Sequence, residues 1–348
     1  MIKPLEILAE LVQAAGPPGE ERLVASVLTR FLDEAAIPWR IDERGNLLAS
    51  SGTTLPNAPR IVVTAHMDEI ALMVQRILPS GSLAVVPLGG VHPWKWGEAP
   101  VDILCSDNTM QGILSFGSIH TSDPASVIQR ARDGKVPAWS DAHVVTGIPK
   151  HELPDTLRPG TRVVLSADRR KLVRLGKQAE YIAGPFLDDR AACVAWLQLI
   201  LDLKQRKIGT DILFAATTSE EIGGHGAIWL LGGRRPEICI ALEIAPITTD
   251  NDVELSAIPT CWSADGYAPT SPADLQLVAN AADVVGTGVT FHVLTRGGSD
   301  ASCAAVIGHC ARNITLALPV ENTHGFEVMH IDAIPALVRL TLEVLTKL

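Results

Sequence analysis

No stretch of the sequence approaches the ~20 consecutive apolar residues that a membrane-spanning helix requires. The opening MIKPLEILAELVQAAGPPGEE has no continuous apolar core followed by a cleavage site, which excludes a signal peptide. Instead Ile2, Leu5, Leu8 and Val12 recur at helical spacing with Glu6 and Glu10 between them. Basic residues are outnumbered, 29 Lys and Arg against 39 Asp and Glu, for a formal net charge of −10. Phosphate binding rests on Lys and Arg, so this balance argues against a nucleic-acid partner. It suits a carboxylate-rich site, although ordinary solubility explains it equally well. No block of like charge forms a tail, and there is no internal repeat or low-complexity tract. The six cysteines, Cys105, Cys193, Cys239, Cys261, Cys303 and Cys310, show no CxxC spacing. They read as reduced core residues rather than disulfides or metal ligands. These absences together describe a cytoplasmic protein with no membrane partner.

What remains is a globular composition, 47% apolar and 20% charged over 348 residues. At ~150 residues per domain this length suggests two domains. RIVVTAH (60–66), DILFAATT (211–218) and EICIALEI (237–244) read as buried strands. RAACVAWLQLILDLKQR (190–206) reads as a helix closed by Lys and Arg, and HGAIWLLGG (225–233) as a shorter one closed by glycine. IDAIPALVRLTLEVLTKL is a final amphipathic helix. Such alternation predicts an α/β domain with a mixed, largely parallel sheet and flanking helices.

The pattern changes between about Val74 and Arg174. Short β-like pieces (SLAVVPL, VDILC, MQGILSFG, TRVVLS) are separated there by Gly, Pro, Ser and Asp. Residues 74–174 are therefore expected to form a small β-rich domain inserted into an α/β domain made of 1–73 and 175–348.

Five short segments carry chemistry. In AHMDE, His66 and Asp68 stand two apart at a strand end and so point to one face. A neutral imidazole is a good metal ligand, and a nearby carboxylate orients it; a buried histidine with a hydrogen-bonded neighbour is the plainer reading. In FLDDRAA, Asp188 and Asp189 precede the long helix. One is expected to act as a helix cap. A second acid beside it is costly unless a cation neutralises it, and a carboxylate can bridge two metals. In TTSEEIGGHGA, Glu220 and Glu221 follow a strand and precede a glycine-rich turn. One can bind metal while the other faces a bound water as general base; a solvated first helical turn is the alternative. Glu243 ends an otherwise apolar strand, where an unpaired charge is expensive. His324 lies in a loop before the last helix, a place where a solvated surface histidine is commoner. Most of these positions fall at strand ends, the usual ligand site of an open α/β sheet. They offer only N and O donors, which suits zinc, cobalt or manganese.

The order AHMDEI, LDDR, SEEIGGHGA, ALE, GGSDA and THG resembles the M42 family of metallo-aminopeptidases, the group of the tetrahedral TET and glutamyl aminopeptidase-like enzymes. The likeness runs over nearly the whole chain and extends to AAGPPGEE, GIPKHEL (147–153) and RGGSDAS (296–302). It implies two divalent metal ions, one bound by His66 and Glu243, the other by Glu221 and His324, with Asp188 bridging. Glu220 would be the general base and Asp68 the support of His66. It further implies short peptide substrates, a zinc-peptidase-like α/β fold with an inserted β-barrel or PDZ-like domain, and a homo-oligomer, with dodecamers common in the family.

The chain departs from the family pattern where Glu243 replaces the usual Asp, around Asn322-Thr323-His324-Gly325, and at His225, where Arg is common. Glu243 keeps open a metal-dependent deacylase or carboxypeptidase, and the departures together keep open a catalytically impaired scaffold. Trp94 and Trp96 in HPWKWGE can line a subunit interface or pack the small domain's core. Gly297-Gly298-Ser299-Asp300 is expected to turn beside the site.

Overall fold

The computed structural model describes residues 3–208 and 211–348; Ile2, placed on the first helical stripe by the sequence pattern, lies outside them. The chain divides into two compact units, Met1–Glu69 with Leu172–Leu348, and Ile70–Lys171.

The first unit opens with helices Pro4–Gln13 and Arg22–Glu34. Strands β1 (Trp39–Ile41), β2 (Leu47–Ala49) and β3 (Ile61–His66) follow. The second unit supplies β4 (Ala71–Ile77), β5 (Leu83–Leu88), β6 (Ala99–Leu104), β7 (Thr109–Ser115), β8 (His143–Val145) and β9 (Arg162–Leu165). These close into a barrel in the order β4-β5-β8-β7-β6-β9. Alternate aliphatics such as Val101 and Ile103 fill it. At Gly112 a Cβ would come within 2.5 Å of Val144, so the interior has no room for a side chain there.

The chain then returns to the first unit with β10 (Val173–Leu175), β11 (Tyr181–Gly184), β12 (Ile212–Thr217), β13 (Ile238–Pro246), β14 (Thr260–Ala264), β15 (Thr290–Val293), β16 (Arg312–Val320) and β17 (Glu327–His330). Its main sheet runs β1-β2-β12-β3-β13-β16-β14-β15. The centre, β12-β3-β13-β16, is parallel, while the joins β1-β2, β2-β12 and β16-β14 are antiparallel. The sheet is thus mixed with a parallel middle. A smaller antiparallel sheet, β10-β11-β17, belongs to the same unit.

Period-two burial explains why the central strands are apolar throughout. Ile61, Val63, Ala65, Phe214, Ile240 and Leu242 face one core, which helices Leu187–Arg206, Pro272–Val285 and Ala333–Lys347 cover. Val62, Leu213, Ala215, Cys239 and Ala241 face a second, covered by helices His225–Arg234 and Asp300–Ala305. All six cysteines are unpaired, and five of them are buried. Trp96 is buried and Trp94 exposed, so the two tryptophans of HPWKWGE divide between packing and surface. Among the described residues no helix is long and apolar enough to cross a membrane.

One local expectation needs correction. The aspartate pair stands at a kink just before the continuous helix, with both residues outside helical φ/ψ, but Asp189 gives its Oδ2 to the His66 N–H and its Oδ1 has no hydrogen-bond partner, so it does not cap that helix with its side chain. Their carboxylates are engaged elsewhere, as described next. His324 lies, as expected, in a loop ahead of the last helix, with β17 between the two.

Candidate metal centre

Strands β12, β3 and β13 lie side by side and parallel, so their carboxyl ends meet. Thr217 is paired with His66 at the end of that register. The chain leaves β3 through Met67-Asp68-Glu69 and leaves β12 through Thr218-Ser219-Glu220-Glu221. Glu243 lies within β13, opposite Ala317 of β16.

Here the sequence-predicted residues come together. His66 Nε2 is 3.1 Å from Asp188 Oδ1, 3.8 Å from Glu243 Oε1 and 4.0 Å from Glu220 Oε2. His324 Nε2 is 3.4 Å from both Asp188 Oδ2 and Glu221 Oε2. Two groups of donors result, each with atoms within 4.8 Å of one another: His66, Asp188, Asp189 and Glu243; and Asp188, Glu221 and His324. Asp188 belongs to both, through one carboxylate oxygen each. His66 Nδ1 lies 3.2 Å from the main-chain oxygen of Asp68 and 3.4 Å from its carboxylate. Both are acceptors, so Nδ1 carries a proton, and Nε2, which faces Asp188, Glu243 and Glu220, is the nitrogen that would give its lone pair to an ion.

Carboxylates also hold the backbone that carries these donors. Asp68 accepts the N–H of Glu220 (2.9 Å) and of Glu221 (3.0 Å). Glu21 accepts the N–H of Ser219 at 3.0 Å, and Asn46 Oδ1 accepts that of Thr218 at 3.0 Å. Four successive amides of this turn are therefore fixed by side chains from three other segments, and Ser219 is held at φ +57°. Asn46 also donates to Gly226 O, and a Cβ at Gly226 would fall 2.4 Å from Asn46 Oδ1. Asp189 accepts the His66 N–H at 3.0 Å, and Glu327 accepts those of Asp188 and His324. A buried ion pair, Arg190 with Glu69 at 2.7 Å, ties the DDR and HMDE segments. Asp300, from the GGSD turn, is buried and accepts from Thr217 at 2.6 Å.

Electrostatics follow from packing many acids around two imidazoles. Burial lowers the His66 pKa, but hydrogen bonds to Asp188 and Asp68 outweigh it and hold it well above the usual range. Burial raises Asp188, yet hydrogen bonds from His324 and His66 pull it well below the ordinary carboxylate range. Burial, with Glu243 and Asp300 nearby, pushes Glu220 well up. Burial and Asp189 do the same to Glu243. Burial drives Glu221 up to about 7. Oδ1 of Asp189 and Oδ1 of Asp300 are buried without a hydrogen-bond partner. The cluster is short of positive charge, the condition in which divalent cations fit a carboxylate site.

Sequence reasoning did not bring Glu21, Asn46 or Glu327 to the site; it expected the turn holding Asp300 to lie beside it, and it raised Asp189 as one of an acid pair without a role of its own. For Glu327 the signal was the one used for Glu243, an acid opening the apolar run EVMH. For Glu21 and Asn46 no local signal exists, since their partners are remote in sequence.

The fold and this donor set are those of an α/β protein whose sheet end could hold metal ions, and comparison with known proteins gives its class. The chain belongs to the M42 glutamyl aminopeptidase family, whose sequence model matches residues 45–340. That family places it among aminopeptidases, which are hydrolases. It is 28% identical over 249 residues to the lysyl aminopeptidase of Pyrococcus furiosus, covering 71% of this chain and 68% of the relative. It is similar to the TET1 peptidase of Pyrococcus horikoshii, described as assembling into a tetrahedron or a large octahedral shell, at TM-score 0.83 and 26% identity over 99% of both chains. The TET aminopeptidase of a marine sediment Thaumarchaeota archaeon shares the fold at TM-score 0.87 and 20% identity, over 99% of this chain and 96% of that one.

Proposed function

We propose that the chain is a cocatalytic two-metal aminopeptidase that removes N-terminal residues from short peptides. The observation that carries this reading is the double membership of Asp188, one carboxylate oxygen in each of two adjoining donor groups. His66, Asp188 and Glu243 would hold one divalent ion, and Asp188, Glu221 and His324 the other. Zinc and cobalt suit these N and O donors, with manganese a third option. When bound, such ions acidify a water and polarise the scissile carbonyl.

The chain's own groups do the rest. Glu220 stands outside both donor groups, and its raised pKa suits a group that takes a proton from water and returns it to the leaving amine. Asp68 keeps His66 in the tautomer that presents Nε2 and fixes the amides of Glu220 and Glu221. The surplus of carboxylate favours a substrate with a free, charged α-amine, hence exopeptidase action. Glu243 is one methylene longer than the family's usual Asp, and a deacylase or carboxypeptidase activity would follow if that length shifts the substrate's seat. We further assign the chain to the cytoplasm and to a homo-oligomer such as a dodecamer, with inserted residues 74–174 serving assembly or substrate access; the shell-forming P. horikoshii relative supports the oligomer.

Aminoacyl anilides and N-acyl amino acids, assayed with zinc or cobalt and with chelator, test the reading. Free-amine anilides should be cleaved only with metal; turnover of N-blocked substrates alone would refute it. Glu220→Gln should lower kcat by ~10²–10⁴ while metal content is unchanged.

A further inference from the structure

We infer that Glu327, which belongs to neither donor group, is the positioning residue that joins the segments carrying Asp188 and His324. The inference rests on the two-metal reading for its consequence and on geometry for its substance. Glu327 opens β17, opposite Gly184 of β11, and is 1% exposed. Its Oε2 accepts the Asp188 N–H at 3.0 Å and its Oε1 accepts the His324 N–H at 2.9 Å. Each oxygen is thus committed to the backbone of one donor residue from the second group.

The two donors stand on irregular backbone. Asp188 is in extended conformation at a kink just before the continuous helix. His324 sits at φ +59°, a region that favours glycine, two residues after Asn322 at φ +63°. A left-handed residue persists when surrounding contacts over-determine it, and the Glu327 carboxylate supplies one such contact to His324 while its other oxygen holds the Asp188 amide. The simpler account is a buried acid satisfied by whatever amides lie near. That account gives no reason for both oxygens to meet donor-residue amides from segments so far apart in sequence. The two readings also separate chemically. A carboxylate accepts at both oxygens, whereas the isosteric carboxamide of glutamine accepts at one and presents N–H donors at the other. Glutamine therefore keeps the volume and removes one of the two contacts.

The test uses the full-length wild type, Glu327→Gln and Glu327→Asp, each checked for fold by circular dichroism. Zinc or cobalt chloride is titrated calorimetrically into metal-free protein, and amide hydrogen exchange is read at Asp188 and His324. Wild type should bind two ions. In Glu327→Gln one of the two affinities should fall ~10–100-fold, the effect of losing an outer-shell partner, with faster exchange at one or both amides. For anilide substrates kcat should fall more than KM changes. Unchanged affinities for both ions with unchanged exchange would overturn the inference. If wild type binds no ion, the two-metal reading fails, yet exchange in the metal-free protein still decides the positioning role: faster in the variant supports it, unchanged overturns it. If the glutamine variant does not fold, Glu327→Asp decides, since it keeps charge and both acceptors but shortens the reach. It should show the same losses, smaller, and equality with wild type in both readouts overturns the role.

Discussion

The carboxyl end of the mixed sheet and the interior of the inserted barrel bury opposite kinds of group. The barrel closes around Leu72, Val74, Val85, Val101, Ile103, Leu114, Val144 and Val163, all aliphatic. The sheet end buries His66, Asp68, Glu69, Asp188, Asp189, Glu243, Asp300 and Glu327. Burying apolar surface needs no partner and is favourable by about 25 cal/mol per Å². Burying this many carboxylates is unfavourable unless each finds a donor or a cation. Backbone amides of the site loops are donors to several of these carboxylates, beside Arg190, Thr217 and the two imidazoles, so those loops are pinned by the charges they carry. Stability in the barrel is therefore a matter of volume; at the sheet end it is a matter of compensation.

The largest effect expected from that contrast is at the shared ligand. Asp188→Asn should cut anilide turnover at least ~100-fold and weaken both ion affinities in calorimetry, exceeding the loss seen for outer-shell partners. In the barrel, Leu114→Ala should cost about 2–5 kcal/mol in denaturant unfolding of that unit, the range for a buried leucine, and leave ion stoichiometry unchanged. A loss of ion binding in this variant would break the comparison. Gly226→Ala, whose Cβ would meet Asn46 Oδ1 and Thr218 O at 2.4 Å, should destabilise by about 1–3 kcal/mol through overpacking. Because it displaces the Thr218–Glu221 turn, it should also lower kcat.

The smallest effect expected is a pH dependence of the metal-free protein. Burial, with Asp188 nearby, lifts Glu327 to about 8, and burial with Asp68 nearby lifts Glu21 to about 7. An acid whose pKa is higher in the folded state binds its proton more tightly there, so stability falls as pH rises. The contribution is complete below the unfolded value, near 4.5, and is lost as pH rises through about 7 and 8. Thermal unfolding with chelator should thus show Tm falling between about pH 4.5 and 8. Added zinc should flatten the slope, since cations supply the missing compensation. A Tm that rises across this range with chelator present would contradict it.

Sequence reading reached the sheet's central strands because each alternates between two apolar cores, and it singled out His66, Asp188, Glu220, Glu221 and Glu243 as acids and an imidazole at or near strand ends; His324, a loop residue, entered only through the family likeness, which also supplied the roles of all six. It misjudged the aspartate pair as partly a helix cap. A helix start is recognised by local order, whereas Asp188 and Asp189 are turned toward residues more than a hundred positions away. Glu21 and Asn46 escaped for the same reason: an acid in a proline-glycine turn and an asparagine in a hairpin are unremarkable until the amides they accept are known.

By itself the sequence determined which residue types meet water and which do not, and hence the strands, the helices, the change of pattern at the insert and the supply of N and O donors. Only the tertiary structure decided that Asp188 faces both imidazoles and that Glu327 spans two donor segments. Periodicity is a property of neighbours along the chain. The compensation of buried charge is settled among residues that only folding brings within 3–4 Å of one another.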